Sequence, residues 1–197
     1  MTARDRRRKA MPLLFNIAAA LLAGLVSTFA SAQAGNTTHL AGELFKKLAR
    51  VNLVHVPYKG TGPALIDLVG GQMQVMFCNL TAALPHVKSG RLRALAVTGD
   101  GRSSAVPALP TVAEAGLPGY LVVTWYGIMV PAGTPREIVT HLHNSIVQTM
   151  RAPEVRERLA VEGNEPISTT PEQFTAFIKS EIALWGKVIR DANIVAE

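Results

Sequence analysis

HVPYKGTGPALIDLVGGQMQVMFCN, residues 55–79, reads as a strand, a glycine-broken turn, a helix and a second strand in one unit. Leu53, Val54 and Val56 form a short apolar run that Pro57 stops, because proline has no N–H to extend a ladder. The turn Tyr58-Lys59-Gly60-Thr61-Gly62 leads into Pro63, a residue favoured at the first helical position. Ala64, Leu65, Leu68 and Val69 fall at helical spacing, and Gly70-Gly71 closes the helix. Met73, Val75 and Phe77 then alternate as a strand ending at Cys78-Asn79. Two strand ends and one helix N-terminus thus meet at one edge of a parallel sheet. Unpaired N–H groups there, with glycines allowing close approach, favour an anion such as a carboxylate. The same spacing also fits an ordinary βαβ turn with no ligand.

Working outward, Asn36-Thr37-Thr38 precedes Leu40, Leu44 and Leu48, which recur every four residues and predict a helix with Thr38 as its N-cap. On the other side, Asn79 to Ser89 predicts a helix with Leu80, Ala83, Leu84 and Val87 inward despite Pro85, ended by Gly90. Leu92 and Ala94 to Val97 read as a third strand, broken by Gly99-Asp100-Gly101 and followed by a loop to Pro110. Thr111 with Glu114 makes a capping box for one helical turn that Gly116 stops. Val122 to Val130 is the longest strand candidate, interrupted by Trp125-Tyr126-Gly127. Three helices close the chain: one from a Thr134-Pro135-Arg136-Glu137 capping box, one from Pro153 to Gly163, and one from a Thr170-Pro171-Glu172-Gln173 cap. The last carries a broad apolar stripe of Phe174, Phe177, Ile178, Ile182, Trp185, Val188 and Ile189, which needs a partner surface. This order is that of an α/β fold with three or four mainly parallel strands and a helical C-terminal region.

The 197 residues are 48% hydrophobic and 17% charged, a globular composition. A net charge of +6 invites a nucleic-acid reading, but Arg4, Arg6, Arg7, Arg8 and Lys9 hold most of the excess. The rest of the chain is nearly balanced, which excludes a basic face for phosphate backbones. Those basic residues precede an apolar run through Ile17 to Phe29, with Ala30-Ser31-Ala32 as a small-x-small cleavage site and Ala32-Gln33-Ala34 as a second choice. The pattern predicts a Sec-type signal peptide over residues 1–32; an uncleaved membrane anchor is the competing reading. Cys78 is the single cysteine, so no intramolecular disulfide exists, and a buried thiol at a strand end is its simplest role.

Catalytic and metal motifs are missing. There is no G-x-S-x-G, C-x-x-C or H-E-x-x-H. His141 and His143 lie two apart on a helix and face different ways. His39, His55 and His86 are scattered and read as capping or packing residues. Lys59 precedes its glycines, so Lys59-Gly60-Thr61-Gly62 is not a P-loop. The chain is therefore expected to bind rather than catalyse, with no cofactor.

Longer runs carry a resemblance. Thr38-His39-Leu40-Ala41-Gly42-Glu43-Leu44-Phe45, His55 to Gly60, Leu84 to Thr98, Pro110 to Gly116 and Pro131 to Pro135 occur in this order. Together they resemble the Bug family of periplasmic solute receptors, relatives of the receptor of the tripartite tricarboxylate transporters. The resemblance implies a periplasmic-binding-protein-like (type II) lobe over 33–121. Residues 122–197 would then be the crossover strand and the helices that pack on the first lobe. It also implies a small carboxylated solute as ligand, transporter membrane components as partners, and a periplasmic location. The ligand residues it implies are Thr37, Thr38, Tyr58, Lys59, Gly60, Thr61, Cys78 and Asn79.

Two departures from that family stand out. Many members carry an acidic residue where this chain has Cys78. The family also begins with a whole lobe, including a P-F-x-x-G-G loop, whereas here the signal-like segment leads almost directly into Asn36-Thr37-Thr38. The expectation is a receptor-like lobe with weakened solute binding, since burial from both sides holds a small ligand. Self-association through the C-terminal helices is expected as an outlet for their apolar stripe. The alternative is a truncated interaction protein that binds another protein through that uncovered surface.

Overall fold

The computed structural model describes residues 27–161 and 163–194. The chain divides into two compact units. One runs to Thr124 and takes in the chain again from Val188; the other is Trp125–Lys187.

The first unit is built on a parallel three-stranded sheet. Its strands are β1 (Ser27–Ser31), β2 (Leu53–Pro57) and β3 (Val75–Met76), in the order β2-β1-β3. β1 pairs with β2 from Ser27↔Leu53 to Ser31↔Pro57, and with β3 at Phe29↔Val75 and Ala30↔Met76. Between the strands lie helices α1 (Thr37–Ala49) and α2 (Thr61–Val69), and α3 (Leu80–Lys88) follows β3.

Side chains of β1 alternate between two packed faces. Phe29 and Ala30 are both fully buried. The Phe29 ring lies against α1 so closely that a Cβ on Gly42 would sit 2.1 Å from it. Phe77 meets the same ring edge-on at 6.0 Å. Ala30 clusters instead with Ala64 of α2 and with Met73, with Val56, Tyr58, Leu68 and Met76 packed around them. The two crossovers therefore lie on opposite faces, as right-handed connections leaving a strand in opposite directions require. Tyr120 closes the α1 side: its hydroxyl donates to Ala41 O at 3.1 Å, and burial pushes the phenol pKa up.

The expected cleavage site Ala30-Ser31-Ala32 falls at the end of β1, the strand on which both others pair, and Ala32-Gln33-Ala34 falls in the loop after it. The rest of the expected signal peptide lies outside the described residues. The third strand expected at Leu92–Val97 is reduced to one parallel bridge, Val97↔Thr111. At that bridge Val97 N donates to Pro110 O and Val112 N to Val97 O, both at 2.9 Å, while Leu92 N turns back to His86 O at 3.1 Å. Val122–Val130 forms no strand either; Val122 N reaches Thr98 O, but no ladder continues from it. α2 starts at Thr61, two residues ahead of Pro63, with Gly60 as N-cap. The N-cap of α1 is Asn36 rather than Thr38, since the Asn36 carboxamide oxygen accepts from His39 N. The Thr111–Glu114 box forms reciprocally at 3.0 Å each way, on a turn rather than a helix.

The second unit holds α4 (Arg136–Arg151), α5 (Pro153–Val161) and α6 (Pro171–Asp191), whose last residues from Val188 belong to the first unit. Thr170 and Gln173 make the expected reciprocal cap. Thr134 does not cap α4: Pro135 takes the N-cap position and the Thr134 hydroxyl donates to Pro131 O. Trp125 meets Phe174 and Phe177 edge-on, and the indole N–H groups of Trp125 and Trp185 both donate to one Glu181 oxygen.

Candidate functional site at the sheet edge

Because the three strands are parallel, Ser31, Pro57 and Met76 end at one edge of the sheet. Each is followed within a few residues by a helix N-terminus: Thr37, Thr61 and Leu80. β1 runs out toward β2 while the chain after β3 moves on from its other side. The crevice beside β1 is thus a topological switch point, the position where open α/β sheets bind ligands.

The sheet register brings the expected residues together. Tyr58 N donates to Ser31 O at 3.0 Å, so the Tyr58–Thr61 turn starts beside the 32–36 loop. Cys78 and Asn79 follow β3 on the other flank of β1. At ordinary strand spacing the two flanks are about 10 Å apart, and the 32–36 loop, leading from β1 into Thr37 and Thr38 at the start of α1, leaves the strand between them.

Backbone polarity at this edge is unusual. Gly60 has φ +135°, a conformation open in practice only to glycine, and brings no side chain to cap α2. Asn79 makes no side-chain capping bond to α3. Among the described residues, the amides of Gln33, Ala34, Thr37 and Thr38, and those of Lys59 to Gly62, have no acceptor. Helix ends without side-chain partners are satisfied by water or by a ligand. These amides carry the positive ends of two helices, which suits a carboxylate.

Not every expected side chain is free to reach a ligand. The Tyr58 hydroxyl donates to Asp67 of α2 at 2.7 Å, and that bond raises its pKa. The Thr38 hydroxyl donates to Asn36 at 2.7 Å. Lys59 is exposed, and Thr37 and Thr61 are half-buried. Burial pushes the Cys78 thiol up to about 11, so the residue is a neutral wall rather than a charged partner.

A polar cluster beneath the edge escaped the sequence reading. Ser31 Oγ and His55 Nε2 share a hydrogen bond of 2.7 Å, and the His55 and His39 rings stack with centroids 3.6 Å apart. The Gly35 amide donates to His39 Nδ1 at 2.9 Å. Burial pushes the His55 imidazole down to about 4, with His39 adding to that effect. Burial also works against the Glu43 charge, but hydrogen bonds from His39 and Lys46 outweigh it and hold the carboxyl below its ordinary value. Three residues at spacings of 16 and 8 give no sequence signal; only the β1–β2 register, which sets Phe29 opposite His55 and Ser31 two residues on, brings them together. Among the described residues no group of three or more His, Cys, Asp or Glu side chains could hold a metal.

Comparison with known proteins places the chain in context. A family described as Tripartite tricarboxylate transporter family receptor matches residues 17–194. Protein BugT of Bordetella pertussis is 39% identical over 165 residues, covering 84% of this chain and 51% of that one. Among solved structures, Rpa4515 of R. palustris with adipate superposes with a TM-score of 0.84 at 34% identity, covering 93% of this chain and 62% of that one. MatC (Rpa3494) from Rhodopseudomonas palustris with bound malate gives 0.74 at 32% identity, covering 89% and 61%. The chain spans about half the length of the curated relative it matches.

Proposed function

Since this chain belongs to the tripartite tricarboxylate transporter receptor family, we propose that it is a periplasmic solute receptor whose sheet edge holds a small carboxylate. The observation that carries this reading is the set of amides at Gln33, Ala34, Thr37 and Thr38 and at Lys59 to Gly62 that have no acceptor among the described residues. A carboxylate's two oxygens match a fork of N–H donors, and charge-assisted bonds of this kind are the strong ones. Lys59 adds a solvated positive charge, Thr37 and Thr61 add hydroxyls, and Asn79 adds an amide from the β3 flank. In this reading Cys78 makes the pocket wall more apolar than an acidic residue would. Delivery to the membrane components of a tripartite tricarboxylate transporter is the role proposed for the bound solute. Export to the periplasm follows from the same family reading, and no described helix is long and apolar enough to cross a membrane.

No catalytic step is assigned. Ser31 shares a hydrogen bond with an imidazole, but it has no exposed surface and cannot reach a substrate. A thermal-shift screen with adipate, malate, aromatic acids and amino acids tests the reading. A rise in Tm with one carboxylate, saturable and absent with the matching amide, supports it; a flat response to every acid overturns it.

One observation favours a second reading, an interaction protein. Within the Trp125–Lys187 unit, Tyr126, Ile128, Met129 and Ile182 are 83, 67, 69 and 68% exposed. A surface of this kind marks an interaction site in many proteins. Dimerisation that strengthens with concentration and is abolished by Ile182→Glu, with no response to carboxylates, would select that reading.

A further inference from the structure

We infer that the stacked pair His39–His55 is a positioning device for the carboxylate site, holding the 32–36 loop in the conformation that leaves the Gln33 and Ala34 amides unpaired. The inference rests on the receptor reading above and adds residues that touch no solute.

The loop is anchored from below at both ends. At its start, Ser31 Oγ donates to Gln33 O at 3.2 Å and shares its bond with His55 Nε2. Near its end, Gly35 has φ +77°, and its amide is taken by His39 Nδ1. Nδ1 accepts from Gly35, so the ring is the Nε2–H tautomer, with Nε2 3.8 Å from Glu43. His55 in turn fixes the His39 ring by face-to-face stacking at an interplanar angle of 11°. Phe29 packs against both rings, with centroids 6.2 Å from His39 and 4.9 Å from His55. The His39 residue is 6% exposed, so water cannot readily replace it as the acceptor for Gly35.

The consequence is a division of labour within one short loop. The Gly35 amide is spent on the protein, and Ala32 N is drawn toward the Thr38 hydroxyl at 3.4 Å. Gln33 and Ala34, between them, are left for a ligand. Without an acceptor at position 39 the Gly35 peptide is free to turn, and the fork of donors loses its fixed spacing. Preorganised donors bind better because less ordering is needed on binding.

The test compares wild type, His39→Phe and His39→Asn in the full chain. Phe keeps a ring to stack on His55 but has no acceptor; Asn offers an oxygen close to the position of Nδ1. Amide exchange at Gly35 is read beside that at Tyr58, whose amide is bonded to Ser31 O and reports an intact sheet. Adipate is the binding probe. The expected result for His39→Phe is loss of protection at Gly35 with Tyr58 unchanged, and adipate affinity lowered about tenfold, the scale of one lost hydrogen bond. His39→Asn should recover most of both. Protection at Gly35 that survives His39→Phe overturns the inference, as does wild-type adipate affinity in that variant. If wild type binds no adipate, the receptor reading fails for this probe while Gly35 exchange still decides whether the stack holds the loop.

Discussion

Ser27–Ser31 and Val122–Val130 differ sharply in what surrounds them. The first contains two serines and a threonine, yet it is paired on both sides and its Phe29, Ala30 and Ser31 have no exposed surface. The second is almost wholly apolar, yet Tyr126, Ile128 and Met129 stand more than two-thirds exposed. Neighbours, not composition, decide which becomes a strand. A segment in the middle of a sheet satisfies its backbone on both edges, while an apolar segment without a ladder partner has no reason to become one.

The contrast can be broken most forcefully at Phe29. Phe29→Ala should cost about 3–5 kcal/mol, the range for emptying a fully enclosed aromatic site. Urea unfolding gives the value, and a loss under about 1 kcal/mol would remove β1 from the centre of the core. Gly42→Ala comes next, at about 1–3 kcal/mol, because its new methyl would enter the Phe29 ring. Phe29→Leu in the same chain should recover part of that loss, and strict additivity in the double-mutant cycle would contradict the contact.

A third effect depends on pH. His55 is held at about 4 against an ordinary 6.5, so the folded state favours its neutral ring. Its contribution is complete above pH 6.5 and is lost as pH falls through that value toward 4. Thermal midpoints measured from pH 7.5 to 4.5 should decline, and His55→Asn should flatten the decline across that window. An unchanged slope in the variant would assign the acid sensitivity to other groups.

Smaller again is Glu181→Ala, which leaves two half-buried indole N–H groups to water and should cost about 1 kcal/mol. Tryptophan emission reports it directly, since both tryptophans of the chain meet at that carboxylate. At the bottom of the scale, Tyr126→Ser should change stability by less than about 0.5 kcal/mol, as exposed positions do. A loss comparable to that at Phe29 would mean that the apolar segment is covered after all.

The central unit was legible because its signals are local. Pro57 ends β2, Gly60 breaks the chain ahead of α2, and Gly70-Gly71 ends that helix, each a consequence of one residue's backbone chemistry. The Thr170–Gln173 cap was readable for the same reason. β1 was not. Its sequence, STFAS, has the small residues of a cleavage site, and nothing within it announces that two other strands pair on it. The opposite error came from Leu92–Val97 and Val122–Val130, where β-favouring residues have no continuous ladder to join. The shared edge of the candidate loops was legible, since a parallel strand–helix–strand unit fixes which edge they share. Side-chain roles were less so: the Tyr58 hydroxyl is engaged by Asp67, and the His39–His55–Ser31 cluster depends on strand register across a helix.

The most direct test of the account is to titrate ¹⁵N-labelled protein with adipate and follow every backbone amide. The account predicts saturable shifts concentrated at Gln33, Ala34, Thr37, Thr38 and Lys59 to Gly62, with the β1–β2 ladder nearly still. Shifts confined to the Trp125–Lys187 unit, or none at saturating adipate, would contradict it.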